Sequence, residues 1–132
     1  MTSGDDRPVV GVGAVVRDGN NILLVKRGRE PGRGLWAVPG GKVERGEELR
    51  ATARREVEEE TGLRIEVGDP VWVGEVIEGD HHIVLIDFAA RLVGGVMSPG
   101  DDADEVRWVA IDAARSLPLT QTMHSLLDSL AR

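Results

Sequence analysis

From Val9 to Arg17 the chain reads VVGVGAVVR, apolar and β-branched on both parities and interrupted only by glycine. Such a run predicts a strand buried on both faces. Asp18-Gly19-Asn20-Asn21 follows as a turn, because Gly and Asn tolerate positive φ, and Ile22–Arg27 (ILLVKR) resumes as a second strand, so the pair predicts a hairpin. Leu35–Pro39 is read as extended, since Pro39 disfavours helix at Val38, and Lys42-Val43 as a further short strand. From about Glu47 to Thr61 the period changes. Leu49, Ala53 and Val57 recur every fourth residue with Thr52 beside them, predicting an amphipathic helix that Gly62 ends. Arg64–Val67 leads through Gly68-Asp69-Pro70 into a strand over Val71–Ile77. Glu78-Gly79-Asp80 is a second hairpin turn, and His81–Leu92 a long strand whose Ile83–Ile86 run is expected to be buried on both faces. Val93–Asp104 reads as a loop and Glu105–Ile111 as a strand. Asp112 caps a helical turn, and Leu117–Leu130 forms a closing helix with Thr120 as N-cap. Strands before, around and after one central helix, with a second helix at the end, predict a mixed β-sheet between helices: an α+β fold arranged as an α/β/α sandwich.

Composition narrows this picture. The 132 residues suffice for one domain, assigned to residues 9–132 behind a flexible N-terminal tail, residues 1–8 (MTSGDDRP). With three Trp, one Phe and no Tyr, the core must be aliphatic, and each aromatic becomes a candidate for stacking on a flat ligand. The absence of cysteine excludes disulfides and thiolate metal sites. No run is apolar enough to span a membrane and no signal-peptide pattern is present, so a cytoplasmic protein without a membrane partner is expected. A net charge of −7 argues against binding nucleic-acid backbone, but an acidic protein still accepts a small phosphorylated ligand if metal ions neutralise the contact.

The candidate chemistry lies in Gly40–Leu63, GGKVERGEELRATARREVEEETGL. Glu56, Glu59 and Glu60 stand at i, i+3 and i+4, neighbours on one side of the helix, where like charges repel. A cation among them relieves the repulsion. Carboxylates suit hard ions, so Mg²⁺ or Mn²⁺ is favoured over zinc. A glutamate beside such an ion is placed to take a proton from an attacking water. A merely solvated glutamate-rich helix is the competing reading, weakened because Glu56 and Glu60 border the apolar stripe. Arg55, four residues before Glu59, is placed to orient it.

This stretch resembles the signature of the Nudix hydrolases, G-x5-E-x7-R-E-U-x-E-E-x-G-U with U a bulky aliphatic residue. Gly41, Glu47, Arg55, Glu56, Val57, Glu59, Glu60, Gly62 and Leu63 match every position. The flanking strands, the LWAVPGG lead-in and a late strand containing RWV extend the likeness over nearly the whole chain. The resemblance implies a Nudix-type sandwich that hydrolyses a pyrophosphate bond in a nucleoside diphosphate derivative, by water attack on phosphorus. It implies metal ligands at Glu56, Glu59, Glu60 and the Gly40 carbonyl, an orienting role for Arg55, a supporting role for Glu47, and a general base at Glu56 in some members. In others the base lies near the last strands, where Asp101, Asp102, Asp104 and Glu105 fall; Glu105 is the first choice for a further catalytic residue.

Specificity lies outside the signature. Where the ADP-ribose branch often carries a proline, Gly79 stands here. ADP-ribose-like nucleotide sugars and non-standard or oxidised nucleoside triphosphates remain alternative substrate classes. Arg27 and Arg33 are candidates to hold phosphate, in a loop that also carries Arg29. Trp36 and Phe88 are candidates to stack on a base, and His82 or His81 to hydrogen-bond one, with core packing competing for Phe88 and the strand edge for the histidines. A homodimer is expected by analogy with relatives. A non-catalytic nucleotide or metabolite sensor of the same fold is the alternative function, although such domains typically lose the glutamates retained here.

Overall fold

The computed structural model describes residues 7–100 and 102–131, so most of the expected tail and the candidate Asp101 lie outside the described residues. Its elements in chain order are β1 (Val9–Asp18), β2 (Asn21–Arg27), β3 (Trp36–Ala37), β4 (Gly40–Lys42), α1 (Leu49–Thr61), β5 (Leu63–Glu78), β6 (His81–Gly95), β7 (Ala103–Ala110), a 3₁₀ helix (Ile111–Ser116) and α2 (Gln121–Leu130). The seven strands form one mixed sheet in which the order β3-β2-β1-β6-β5 makes the path, with β4 paired to β1 and β7 to β2. β1 runs parallel to β6, whereas β1–β4, β2–β7 and β5–β6 are antiparallel. The expected β1–β2 turn is present, with Arg17 opposite Ile22 and Gly19 at φ 59°.

Period-2 alternation divides the core between the sheet's two faces. Ala14, Val16, Leu23 and Val25 pack with Val57 of α1, and Val12 and Phe88 pack with Ala53 of the same helix. Val15, Ile22 and Leu24 pack on the opposite face with Met123, Leu126 and Leu127 of α2. Helices therefore cover both faces, as the sandwich requires. Along β1, however, the α2 face is carried by Gly11 and Gly13 before Val15 takes it over. Two positions without side chains leave a hollow there.

Several boundaries differ from the sequence reading. Gly68-Asp69-Pro70 does not separate two elements. It lies inside one bent strand, β5, whose pairing with β6 shifts between Val67 and Pro70 and again before Trp72; Pro70 has no N–H to give the ladder, and a bulge absorbs it. β6 continues to Gly95 instead of ending at Leu92. Ile83–Ile86 is only half-buried, and on the face of Ile83 and Leu85 the hollow stands where a second cover was expected. α2 begins at Gln121, since residues before it stay extended: Trp36 N–H donates to the Pro118 carbonyl (2.7 Å) and Thr120 N–H to that of Trp36 (3.0 Å). Thr120 occupies the N-cap but makes no side-chain capping bond.

Candidate active site

α1 starts at Leu49, two residues after the position expected, and this frees Glu47 for another task. Its carboxylate accepts from Arg55 Nε (2.7 Å) and Nη2 (2.9 Å) and from Thr52 Oγ1 (2.7 Å). Arg55 Nη1 reaches Glu56 (2.7 Å) and, more loosely, Glu59 (3.3 Å). One planar guanidinium thus ties the loop before the helix to two of its carboxylates, a geometry suited to arginine's fixed fork of donors. These bonds hold Glu47 down, to about 2, with the Arg55 bond foremost and Thr52 second. The same pairing with Glu47 raises Arg55 above its ordinary value.

β4 brings the backbone to these side chains. Gly40 N–H donates to Glu60 Oε1 (3.2 Å). A Cβ at Gly40 would stand 2.1 Å from the Val12 carbonyl oxygen, and one at Gly41 would stand 2.4 Å from the Glu56 carboxyl carbon. Only glycine lets β4 pass between β1 and α1 at this distance. At the other end of α1, Gly62 takes φ 77° and donates to the Glu58 carbonyl, the left-handed stop that the sequence predicted.

Burial raises Glu56 above its ordinary value, and pushes Glu60 up to about 8 despite the Gly40 N–H bond that works in the other direction. The two carboxyl groups lie against each other, Arg55 faces Glu56, and Arg27 is near enough to Glu60 to lower it. Desolvated neighbouring carboxyls need a positive charge or a proton. Among the described residues no three acidic or imidazole groups already stand as a closed ligand set, and Glu59 is turned toward Arg55 in solvent. Even so, the donors are all oxygen and two are short of charge. This chemistry fits a hard divalent cation, which Glu56 and Glu60 could hold with Glu59 completing the set.

A cleft of about 530 Å³ opens beside this cluster, on the α2 face of the sheet. Gly11 and Gly13 of β1 and His81, Ile83, Leu85 and Asp87 of β6 form its floor; Arg27, Gly40 and Lys42 border it toward the carboxylates, and Thr120–Met123 toward α2. The volume is ample for a small ligand.

The structure sorts the remaining candidates. Arg27 borders the cleft, with its Nε bound to the Pro31 carbonyl (2.7 Å). Arg33 is exposed and outside the cleft lining, and Arg29 is engaged with Asp102 (2.6 Å). Trp36 is 3% exposed within the α2-side core, with the Arg107 guanidinium 4.8 Å from its ring centre, so its ring offers no face to a ligand. Phe88 is 1% exposed and lies on the α1 face, away from the cleft, so stacking on a base is ruled out in this arrangement. His82 pairs with Glu75 across β5–β6 (2.8 Å); its neighbour His81 has the parity that borders the cleft. Glu105 binds Arg107 (Nε, 3.1 Å) on β7 and does not line the cleft. These assignments turn on strand parity, which a sequence alone leaves open by one residue.

Asp87 is a residue the sequence reading missed, though a lone acid inside IVLIDFA was a visible signal. It is 2% exposed, and burial pushes it up to about 7. A folded-state value above the unfolded one means that the stability is fully present below the unfolded value near 3.8 and is lost as pH rises through about 7. Asp87→Leu, which keeps the branched shape without the charge, is expected to gain about 2–4 kcal/mol more stability over the parent at pH 8 than at pH 4. Denaturant unfolding at the two pH values measures this difference; an equal effect at both would show that the charge is not its source.

A family profile described as NUDIX domain matches residues 7–130. The chain is 38% identical over 103 residues to the ADP-ribose pyrophosphatase of Methanocaldococcus jannaschii, covering 76% of this chain and 61% of that protein. It is 34% identical over 109 residues to the 8-oxo-dGDP phosphatase of Mus musculus, covering 82% of this chain but 33% of that one. The chain therefore spans less than two thirds of these relatives' lengths. A crystal structure of a MutT NUDIX hydrolase from Burkholderia pseudomallei superimposes with a TM-score of 0.84 at 31% identity, covering 94% of this chain and 98% of that one. With a match over nearly all its residues, a shared mixed-sheet sandwich and every signature position filled, the chain belongs to the NUDIX family.

Proposed function

We propose that this protein hydrolyses a pyrophosphate bond in a nucleoside diphosphate derivative, with a divalent cation, Mg²⁺ or Mn²⁺, held by Glu56, Glu59, Glu60 and the Gly40 carbonyl. The observation that carries the reading is the pair of desolvated carboxyls, Glu56 and Glu60, lying against each other behind Gly40 and Gly41, which border a cleft of about 530 Å³. When bound, the cation neutralises the pyrophosphate and lowers the pKa of a coordinated water. The chain's own residues do the rest. Arg55 holds Glu56 and Glu59 together while its bonds to Glu47 anchor it to the preceding loop. Arg27 and Lys42 border the cleft on the carboxylate side and offer positive charge to the phosphates. Glu56 is placed to accept the proton of the attacking water. Its hydrogen bond from Arg55 orients it, and its burial makes it a stronger base than an exposed carboxylate.

The relatives named for ADP-ribose and for 8-oxo-dGDP support both substrate classes, a nucleotide sugar or a non-standard nucleotide. A sensor without turnover is disfavoured because all the signature glutamates are present. Incubation with ADP-ribose, dNTPs and oxidised dGTP, with Mg²⁺ or Mn²⁺ and then with chelator, tests the reading. Cleavage of at least one substrate at the pyrophosphate, abolished by chelator, is expected. Tight binding of one without cleavage of any would favour the sensor.

A further inference from the structure

Arg55 can hold Glu56 and Glu59 in one place only if the carboxylate that receives its fork is itself held. That carboxylate belongs to Glu47, which lies before α1 in the loop. Its Oε2 accepts from Arg55 Nε (2.7 Å). Its Oε1 gathers three donors: Thr52 Oγ1 (2.7 Å), Arg55 Nη2 (2.9 Å) and the Glu44 N–H (3.2 Å). The Glu44 donor is part of the same loop and moves with it. Thr52 makes the shortest of the three bonds and makes it from the helix, on the side that Arg55 shares three residues on.

Thr52 is firmly placed for this. It is 0% exposed, and its own N–H donates to the Glu48 carbonyl (2.9 Å) at the start of α1. Its Oγ1 also lies 3.1 Å from that carbonyl oxygen. A hydroxyl has one proton to give, and the nearer, charged carboxylate takes it. A threonine that only satisfied itself inside a helix would donate back to the preceding turn. Glu48 at the N-cap makes no side-chain capping bond, so the first turn of α1 is tied to the loop before it through Glu47 instead. Thr52 falls among the seven residues that the signature leaves open between Glu47 and Arg55, and the pattern gives it no role.

We propose that Thr52 is a positioning residue for the cation site: its hydroxyl fixes the Glu47 carboxylate in line with the Arg55 fork, which leaves Arg55 Nη1 to hold Glu56 and Glu59. The proposal rests on the reading of Glu56, Glu59 and Glu60 as cation ligands, and adds to it a residue that touches neither cation nor substrate. Without the hydroxyl, Oε1 keeps Arg55 Nη2 and the Glu44 N–H, so no buried acceptor is orphaned and the fold persists. The carboxylate is then less constrained about its terminal bond, and a fork that needs both oxygens in its plane loosens.

The test compares Thr52→Val, which puts a methyl group where the hydroxyl was, with Thr52→Ser, which keeps the hydroxyl. The first readout is NMR titration of the Glu47 carboxyl in the metal-free proteins. Thr52→Val should move it up from about 2 toward its ordinary 4.5, with part of the depression kept by Arg55; Thr52→Ser should stay close to wild type. The second is calorimetric titration with Mn²⁺. Affinity should fall about 5–10-fold in Thr52→Val and stay within about twofold of wild type in Thr52→Ser. Thr52→Ala carries the same expectations and takes the place of Thr52→Val if that variant misfolds. An unchanged Glu47 titration, Mn²⁺ binding no different from wild type, or a serine substitution no better than the valine one would each overturn the proposal, the last because only packing by the methyl group would remain. Neither readout needs turnover. A wild type that shows both differences from Thr52→Val but cleaves no pyrophosphate would fail the hydrolase reading and leave the role of Thr52 standing.

Discussion

Glu60→Gln is expected to lower turnover by about 10²–10³-fold, the several kcal/mol that charge stabilisation by a bound cation contributes, while leaving the fold intact. The separation of the two effects follows from the surroundings of Glu60. Its Oε1 accepts from Gly40 N–H, and a glutamine oxygen at the same place keeps that bond. Burial pushes the carboxyl up to about 8, so the metal-free protein near neutrality already holds it protonated, and glutamine reproduces that neutral shape. A raised folded-state value means stability declines as pH rises through about 8, and the amide removes that decline. Thermal unfolding at pH 8 should therefore show a midpoint no lower than wild type in the same sample that has lost its activity. Full turnover with Mg²⁺ would remove Glu60 from the cation site.

Arg55→Lys is the second large effect. The guanidinium reaches both oxygens of Glu47 and one of Glu56 at once. A lysine ammonium is a single point charge and cannot span them. Turnover is expected to fall roughly 10–100-fold, as when groups that orient ligating side chains are lost. The stability signature is at acid pH. Glu47 is held at about 2, below its ordinary 4.5, so its contribution is present above 4.5 and disappears as pH falls through about 2. With the fork gone, Glu47 returns toward its ordinary value and the acid-unfolding midpoint moves up. Kinetics at neutral pH and unfolding between pH 2 and 5 read the two parts separately; wild-type behaviour in both would contradict the hub role given to Arg55.

The sequence made the sandwich legible because its signals were local. The turn at Gly19, the apolar stripe Ala53/Val57 and the stop at Gly62 are set by neighbours within a few residues. The signature glutamates were legible for the same reason, since helical spacing alone brings Glu56, Glu59 and Glu60 together. What failed was anything decided by strand register. Trp36 and Phe88 were plausible as stacking platforms until β2–β3 pairing buried the first and the parity of β6 turned the second toward α1. His82 and His81 exchanged roles by the same one-residue ambiguity. The hollow itself was written in VVGVGAVV, where Gly11 and Gly13 share a face, but the acid that sits over Gly13 is set by the β1–β6 register. Glu47 belonged to the loop and not to the helix because Arg55, eight residues on, draws its carboxylate back.

The half-buried glutamates Glu56 and Glu60, beside the cleft, are proposed to hold a divalent cation. Calorimetric titration of Mn²⁺ into metal-free wild type and into Glu60→Gln tests it most directly. Saturable binding to the wild type, weakened at least 10-fold in the variant, is expected. Equal affinity in the two proteins, both folded, would contradict it.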